Sequence, residues 1–326
     1  MSGIYTNLLL ENKNLSTFEI TENLTCIRFI DQNKERFELE FNLEKGTSFN
    51  TFLIRSNEEL FIIHPPEKIY SKLINEIISI FFEKFQIKKI NLITGHINPQ
   101  IIETIKNIKI QFKNISITCS NPGYKLITEL WNQRNPNSKN FIEAKLPIIK
   151  IIKKELSFEL ENISLELIPV PTARWPGGLI IYESNQKILL SEKIFSAHIA
   201  TKDWSEKNQI ITEIDRKHFY DCLMAPMSSQ IVTITEKISE LDIKKIAPIH
   251  GPAIEYSLKS FLNDYISWGE NLLTNNPKIA LIYASAYGNT ASIGDALAKG
   301  INRTSVEVES INCEFSSNDV LIKSIQ

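Results

Sequence analysis

The first part of the chain alternates between hydrophobic and polar positions. The strings FEIT, LTCIRFI, RFELEFNL, NTFLIRS and ELFIIHP are rich in β-branched and aromatic residues, and polar breaks such as DQNKE and LEKGTS separate them. This pattern is typical of short strands. From about Tyr70 to Phe85 the apolar residues recur instead at helical spacing, which predicts the first helix. The chain therefore begins with strands, and helices enter later.

Strands and helices alternate in the middle of the chain. Strands are predicted for KKINLIT, ISITCS, IKIIKKEL, ISLELIPV, GGLIIYES, KILLSEKIF and DIKKIAPIHG. Helices are predicted for PQIIETIKNI, GYKLITELWNQ, the segment from about Ser229 to Leu241 and SLKSFLNDYISWGENLL. NPNSKN reads as a polar turn, and the partly acidic stretch before Ser229 as irregular. This order favours an α/β fold with two packed sheets flanked by helices over a doubly wound parallel sheet.

A domain boundary is predicted at the polar segment LLTNNPK, which divides the chain into residues 1–274 and residues 275–326. Beyond it, IALIYAS, the loop AYGNT, a helix from Thr290 to Lys299 and VEVESINC follow one another as a β-loop-α-β unit. One such unit buries too little surface to stand as a doubly wound domain. It either leans on the first domain or is a fragment of a larger one.

Composition narrows the class of protein. Of the 326 residues, 43% are hydrophobic and 23% are charged, as in a soluble globular protein. The net charge of −2 provides no basic surface for nucleic acid, and neither a membrane span nor a signal peptide is visible. We therefore expect a cytoplasmic protein. The scattered cysteines are expected to be buried thiols and not disulfides or zinc ligands: Cys26, Cys119, Cys222 and Cys313.

The loop between the last predicted strand and helix has the features of a phosphate site. It consists of Ser285, Ala286, Tyr287, Gly288, Asn289 and Thr290. Gly288 permits a tight turn, and two hydroxyls lie beside the amides of a helix start, where the helix dipole favours an anion. The alternative is an ordinary turn with Thr290 as the N-cap. The string resembles the FMN phosphate loop of flavodoxins, (Ser/Thr)-x-(Ser/Thr)-Gly-x-Thr, except that Tyr287 takes the third position. The later loops that hold the flavin ring in flavodoxins have no counterpart here, so FMN should bind weakly.

Several strings of the first part resemble the flavodiiron proteins, in the correct order. PVPTARWPGGLIIYE, ILLSEKIFSAH and IAPIHGP resemble three ligand regions of that family, and FYDCLMAP resembles a string of its oxygenic-phototroph subgroup. The resemblance implies a metallo-β-lactamase-like αββα sandwich followed by the first βαβ unit of a flavodoxin-like domain. In the phototroph subgroup a flavin reductase domain follows these two.

The resemblance also implies where two irons would be held. In the family a His-x-Glu-x-Asp-His motif, a further His, an Asp and a final His form the site, because carboxylates and imidazoles suit iron. Two histidines remain here, His96 and His250. The other positions hold Asn98, Gln100, Ile101, Arg174 and Lys193. Two of these replacements add positive charge where the metals need negative charge. The sequence therefore predicts that this chain does not hold a conventional diiron pair.

Two alternatives remain open for the altered pocket. Arg174 and Lys193 either pair with acids, for which Glu192, Glu67 and Asp203 are candidates, or hold an anion. An unpaired buried cation would be costly. His96 and His250 are then hydrogen-bonded loop histidines or a residual two-histidine metal site. The remaining histidines are expected to be structural or surface groups: His64, His198 and His218.

Two functions are compatible with these observations, and a third is excluded. The resemblance implies a subunit of an oxidoreductase that passes electrons from NAD(P)H or another donor through FMN to reduce dioxygen to water. Such a subunit would form a homodimer, or a heterodimer with a related flavodiiron subunit whose metal site is intact. The alternative is a catalytically silent scaffold or regulatory subunit that dimerises through its β-lactamase-like domain. A zinc hydrolase lacks the ligands that it would need.

Overall fold

The computed structural model describes residues 14–34, 36–37, 40–41, 43–133, 144–161, 163–206, 209–274, 278–304 and 306–325. The predicted turn NPNSKN lies outside these residues. Contacts group the chain into two units, Met1–Ile266 and Ser267–Gln326. The sequence-based boundary after residue 274 stays a prediction. In the described part of the chain, no helix combines the length and the apolar character that a membrane span requires.

The first unit contains two large sheets. Among the described residues before residue 153, the strands are β1 (Leu15–Glu19), β2 (Leu24–Asp31), β3 (Arg36–Phe37), β4 (Glu40–Phe41), β5 (Thr47–Ser56), β6 (Glu59–Ile63), β7 (Lys89–Ile93), β8 (Ile115–Ser120) and β9 (Ile148–Ile152). All except β3 and β4 form a sheet in the order β1-β2-β5-β6-β7-β8-β9. Its first four strands pair antiparallel, whereas β6 to β9 pair parallel.

The second sheet follows in the chain. It has the order β10 (Leu156–Leu160), β11 (Ile163–Pro169), β12 (Leu179–Glu183), β13 (Ile188–Glu192) and β14 (Lys245–Pro248). The helices beginning in this unit are α1 (Ser71–Phe85), α2 (Pro99–Gln111), α3 (Asn121–Asn132), α4 (Gln209–Phe219), α5 (Ser228–Ser239) and α6 (Leu258–Thr274). The last of these runs across the boundary between the two units.

The two faces of the first sheet bury different clusters. Successive side chains on a strand point to opposite faces. On β5, Leu53 belongs to a buried cluster with Ile74 of α1, whereas Phe52 and Ile54 belong to a second cluster with Leu165 of β11. Burying each such side chain fully contributes about 1.5–3 kcal/mol. One face of the first sheet therefore packs on helices and the other on the second sheet.

A helix also lies beside the second sheet. A cavity of about 170 Å³ is lined by Ile168 and Ile180 of the sheet and by Ile234 and Ile238 of α5. Helices thus lie outside both sheets. The predicted α/β architecture, a metallo-β-lactamase-like αββα sandwich, is confirmed in this unit.

The second unit contains the predicted β-loop-α-β arrangement. It comprises β15 (Lys278–Tyr283), α7 (Asn289–Asn302), β16 (Glu307–Asn312) and α8 (Asn318–Ile325). The two strands pair parallel in a register that places Ile279 opposite Val308. A parallel pair needs a crossover connection, which α7 provides.

Two predictions were wrong. The stretch before Ser229 is not irregular, because it contains α4 and then a π-helical turn, Tyr220–Met224. Arg216 and Phe219 are buried, so tertiary packing stabilises this segment. Cys26 and Cys119 are buried thiols as expected, but Cys222 in the π-helical turn and Cys313 in the turn after β16 are exposed.

Candidate functional site: a histidine pocket and a phosphate loop

Asn98 fixes the orientation of His96 at the end of β7. It is the N-cap of α2, and its side-chain Oδ1 accepts a hydrogen bond of 2.9 Å from the Ile101 backbone amide. The amide nitrogen, Nδ2, then lies 3.1 Å from His96 Nε2. Proline at the first helical position suits this start, because its missing N–H would have had no partner inside the helix.

The cap determines what His96 Nε2 can do. Because Oδ1 is already an acceptor for Ile101, the amide orientation is set, and Nδ2 can only donate. His96 Nε2 must therefore be the acceptor, so its lone pair points at Asn98. An imidazole binds a metal through that lone pair. In this conformation His96 Nε2 is engaged with the side chain that stands in the position of the family's glutamate ligand.

Lys193 has the same relation to His250. Its Nζ lies 3.0 Å from His250 Nε2, and His250 Nδ1 lies 2.9 Å from the carbonyl oxygen of Ser48. A carbonyl accepts and an ammonium donates, so Nδ1 carries the proton and Nε2 accepts from Lys193. Burial lowers the pKa of His250 well below its usual value, and the charge of Lys193 lowers it further. His250 is therefore a neutral imidazole with an engaged lone pair.

The wall beside His250 is polar and aromatic. His198 Nδ1 lies 2.8 Å from Thr47 Oγ1, and the rings of His198 and His250 are 5.0 Å apart between centroids. Phe49 meets the His250 ring edge-on at 5.4 Å, and Phe219 lies 5.1 Å from His198. His198 was expected to be a structural or surface group. It is buried and hydrogen-bonded, and it belongs to the pocket wall.

The segment that carries Lys193 is strained. Glu192 and Phe195 on either side have left-handed backbones, with φ of 57° and 68°. Such positions cost about 1–3 kcal/mol each and persist only where the surroundings impose them. Here, Ser191 Oγ donates to the carbonyl of Ile194 at 2.7 Å and Ser196 Oγ to that of Glu192 at 3.2 Å.

Glu192 is the acid nearest to Lys193 in the chain, and it is fully enclosed. Its Oε2 accepts from the Leu179 amide at 3.1 Å, and Oε1 has no hydrogen-bond partner among the described residues. Burial raises the pKa of Glu192 to about 7, although the Leu179 amide and the charge of Lys193 oppose that rise. Gly95 must be a glycine here, because a Cβ would lie 2.4 Å from the Leu179 nitrogen.

The other three altered positions face different surroundings. Arg174 is half-buried, and its guanidinium lies 5.4 Å from the ring centroid of Trp175. Gln100 is exposed on α2. Ile101 is buried in the cluster between α2 and the first sheet. The structure therefore brings His96 to Asn98 and His250 to Lys193, while Ile101 is part of the hydrophobic core.

Two of the three candidate acids have other partners. Glu67 forms an ion pair of 3.3 Å with Lys34. The negative charge of Asp203 acts on the buried guanidinium of Arg28 and opposes the lowering of its pKa. Glu192 is an electrostatic neighbour of Lys193. Across the described ranges, no group of three or more His, Cys, Asp or Glu side chains is arranged to hold a metal ion.

His64, which was expected to be a structural or surface group, lies directly after β6. It is buried, its φ is 56°, and neither ring nitrogen has a hydrogen-bond partner among the described residues. Burial lowers the pKa of His64 to about 3. The only signal in the sequence was a histidine directly after the strand ELFII, at a position where strand ends usually carry functional groups.

The phosphate loop lies wholly in the second unit. Helix α7 begins with Gly288 as its N-cap at φ 82°, so the alternative with Thr290 as N-cap was wrong: Thr290 lies inside the helix. Ser285 Oγ accepts from the Ala291 amide at 3.1 Å. Tyr287 is 94% exposed at the tip of the loop. The left-handed glycine and the helix start make a backbone turn of the kind that cradles phosphates.

Comparisons with known proteins identify the family. The sequence model of the ODP family beta lactamase matches residues 47–251, which include the seven ligand positions. A protein named diflavin flavoprotein A 6 from Nostoc sp. is 32% identical over 96% of this chain and 53% of its own length. The chain spans about half the length of the curated relatives it matches.

Solved structures agree with that assignment. The metal-soaked Flv1 flavodiiron core from Synechocystis sp. aligns with a TM-score of 0.73 and 28% identity, over 96% of this chain and 75% of that chain. The rubredoxin oxygen:oxidoreductase from Desulfovibrio gigas, at 17% identity and a TM-score of 0.67, covers 95% of this chain and shares the fold. This chain therefore belongs to the ODP family of β-lactamase-like domains, and the proteins that it resembles are flavodiiron cores and diflavin flavoproteins.

Proposed function

We propose that this chain is a subunit of a flavodiiron-type oxidoreductase whose own pocket does not hold a diiron pair. It contributes an FMN-binding loop and a dimerising β-lactamase-like domain to an assembly that reduces dioxygen to water. The metal chemistry is supplied by a related subunit with an intact ligand set. The assembly is cytoplasmic and receives its electrons from NAD(P)H or another donor.

One observation carries the proposal. Both surviving histidines accept hydrogen bonds at Nε2, from Asn98 at 3.1 Å and from Lys193 at 3.0 Å. Each donor is the residue that replaces a carboxylate ligand of the family. The substitutions therefore do more than remove ligands, because they also satisfy the imidazole lone pairs that the metal would have bound. Two hydrogen bonds therefore engage the Nε2 atoms of both histidines.

Charge reinforces this conclusion. A diiron site needs carboxylates to offset its two cations. Here a buried ammonium lies against one imidazole, and the neighbouring buried acid, Glu192, has a pKa raised to about 7. A cation entering the pocket would meet Lys193 at short range in a medium that screens poorly. The residues present do not fit two irons.

The second unit fits the phosphate of FMN. The loop from Ser285 to Thr290 would hold that phosphate with its backbone amides, and α7 would direct its positive end at it. When bound, FMN supplies transfer of one or two electrons. The chain's part is to hold the phosphate end. The ring would need further protein surface, which a partner subunit or more of the flavodoxin-like fold would provide.

The proposal is tested by titrating the chain with FMN while following the flavin fluorescence. We expect weak, saturable binding that Gly288→Val weakens about tenfold or more, because valine is strained at a φ of 82°. Gly300→Val is the matched control, since a Cβ there meets nothing within 4 Å and lies outside the loop. If FMN does not bind, or if both variants bind it equally well, the electron-transfer role fails and the scaffold role takes its place.

A further inference from the structure

The turn after β16 places Glu314 beside the phosphate loop. The Cys313 amide donates to the Tyr283 carbonyl at 2.8 Å, which extends the pairing of β16 with β15. The Glu314 amide donates to Asn312 Oδ1 at 3.0 Å, and the Phe315 amide to the Asn312 carbonyl at 3.1 Å. These bonds form a turn closed by the Asn312 side chain. They fix the backbone of Glu314 beside the start of the loop.

The carboxylate of Glu314 uses that position. Its Oε2 accepts a hydrogen bond of 3.3 Å from the backbone amide of Ser285, the first residue of the loop. An amide that donates to a carboxylate oxygen is in the orientation in which it would donate to a phosphate oxygen. The loop therefore already holds an anionic oxygen, and this oxygen comes from the chain itself.

Nothing within the loop offsets this charge. The six residues SAYGNT contain no lysine and no arginine. The anion-binding strength of the loop comes from backbone amides and from the start of α7. A phosphate dianion that approaches the loop must displace the carboxylate from the Ser285 amide, and it must then remain near a like charge.

We propose that Glu314 is an internal competitor for the phosphate site. In the free chain its carboxylate occupies the Ser285 amide, and it lowers the affinity of the loop for phosphate-bearing flavins. It has no such effect on an uncharged flavin. Glu314 is therefore a residue that sets affinity and specificity at this loop. This inference rests on the proposed binding of FMN.

The test compares two flavins in titrations of the full 326-residue chain at low ionic strength. Glu314→Gln keeps the shape of the side chain and removes its charge. We expect this variant to bind FMN about five- to tenfold more tightly than the wild-type chain does. Riboflavin, which lacks the phosphate, should bind both chains equally. The gain for FMN should shrink at about 1 M salt, because exposed charges are screened over about 3 Å there.

The matched control is Glu309→Gln, which removes the same charge from another exposed glutamate, on β16 itself. It should leave FMN affinity within about twofold of the wild-type value, because its carboxylate makes no contact with the loop amide. Inorganic phosphate provides a second readout, since it should displace FMN from Glu314→Gln at lower concentration than from the wild-type chain.

The outcomes separate the two proposals. If FMN binds the wild-type chain and Glu314→Gln with equal affinity, or if riboflavin gains as much as FMN, the competitor role of Glu314 is overturned and the proposed FMN loop stands. If neither chain binds FMN, the proposed function of the loop fails, and the role of Glu314 is overturned together with it.

Discussion

Replacing Arg28 by methionine is expected to lower the free energy of unfolding by about 3–5 kcal/mol. The guanidinium is fully buried. Its Nε donates to Asn50 Oδ1 at 2.7 Å, and its other nitrogens donate to the carbonyls of Asp203 and Trp204. Methionine matches much of the volume but leaves three acceptors without their donor, and the one on Asn50 is fully buried. Each such loss costs about 1–3 kcal/mol.

The effect should reach the histidine pocket. Asn50 Nδ2 donates to the carbonyls of Pro248 and Gly251 at 2.7 and 2.9 Å, on either side of His250. Arg28 therefore positions the His250 segment through Asn50.

Urea denaturation followed by circular dichroism measures the change in the free energy of unfolding. Arg55→Met is the control, because Arg55 is only half-buried and one of its nitrogens bonds to Asn23, so a loss of about 1 kcal/mol or less is expected. Equal losses in both variants would contradict the account of Arg28.

Between pH 7 and pH 5, His64→Asn is expected to lose about 2 kcal/mol less stability than the wild-type chain. Burial lowers the folded-state pKa of His64 to about 3 from its usual value of 6.5. Within that window the unfolded chain binds a proton that the folded chain does not, so stability is present above pH 6.5 and falls as the pH drops. Because pH 5 lies about 1.5 units below the unfolded-state pKa, the free energy of unfolding is lower there by about 2 kcal/mol. Asparagine tolerates the left-handed φ of 56°.

Glu192→Gln should change the dependence of stability on pH in the opposite direction. The folded-state pKa of Glu192 is raised to about 7 from 4.5, so this carboxyl contributes stability that is present below pH 4.5 and lost as the pH rises through 7. Between pH 7 and pH 5 the wild-type chain gains about 2 kcal/mol from Glu192, and the variant does not. Stability curves at both pH values measure the two variants. Parallel profiles for wild type, His64→Asn and Glu192→Gln would contradict the burial of these groups.

The periodic parts of the fold could be predicted from sequence. ISITCS coincides with β8, Ile115–Ser120, and the first helix, predicted from about Tyr70 to Phe85, spans Ser71–Phe85. Both segments have strong hydrophobic periodicity, so local pattern and tertiary packing agree there. Helix α4 was missed because its stabilising contacts are not local: Arg216 donates to the carbonyls of Phe195 and Pro252, which are distant in sequence.

The candidate site was predictable in part, and for a clear reason. A family resemblance places His96, Asn98, Lys193 and His250 at ligand positions, but it does not say which atoms meet. The Asn98 side chain contacts both the start of α2 and His96, and this depends on the orientation of one amide. The contact of Lys193 with His250 depends on a strained turn between Glu192 and Phe195. Such details arise from tertiary geometry, which the spacing of residues in the sequence does not determine.

If the chain has lost its metals, as we propose, the hydrogen-bonded pocket also explains how the fold tolerates that loss. A diiron site contributes to folding, and removing the ions from an unchanged ligand set would leave carboxylates and imidazoles crowded together. In this chain, an amide and an ammonium supply donors where the ions would have been. Because each donor meets an imidazole acceptor, the Nε2 atom of each histidine has a hydrogen-bond partner without metal.

The iron content of the purified protein tests the central claim most directly. The chain is produced in iron-supplemented medium, desalted, and analysed for iron and zinc by mass spectrometry against protein concentration. A metal site closed by Asn98 and Lys193 predicts well under one iron per chain. Two tightly bound irons per chain would contradict the account, because they require the Nε2 lone pairs that these two residues occupy.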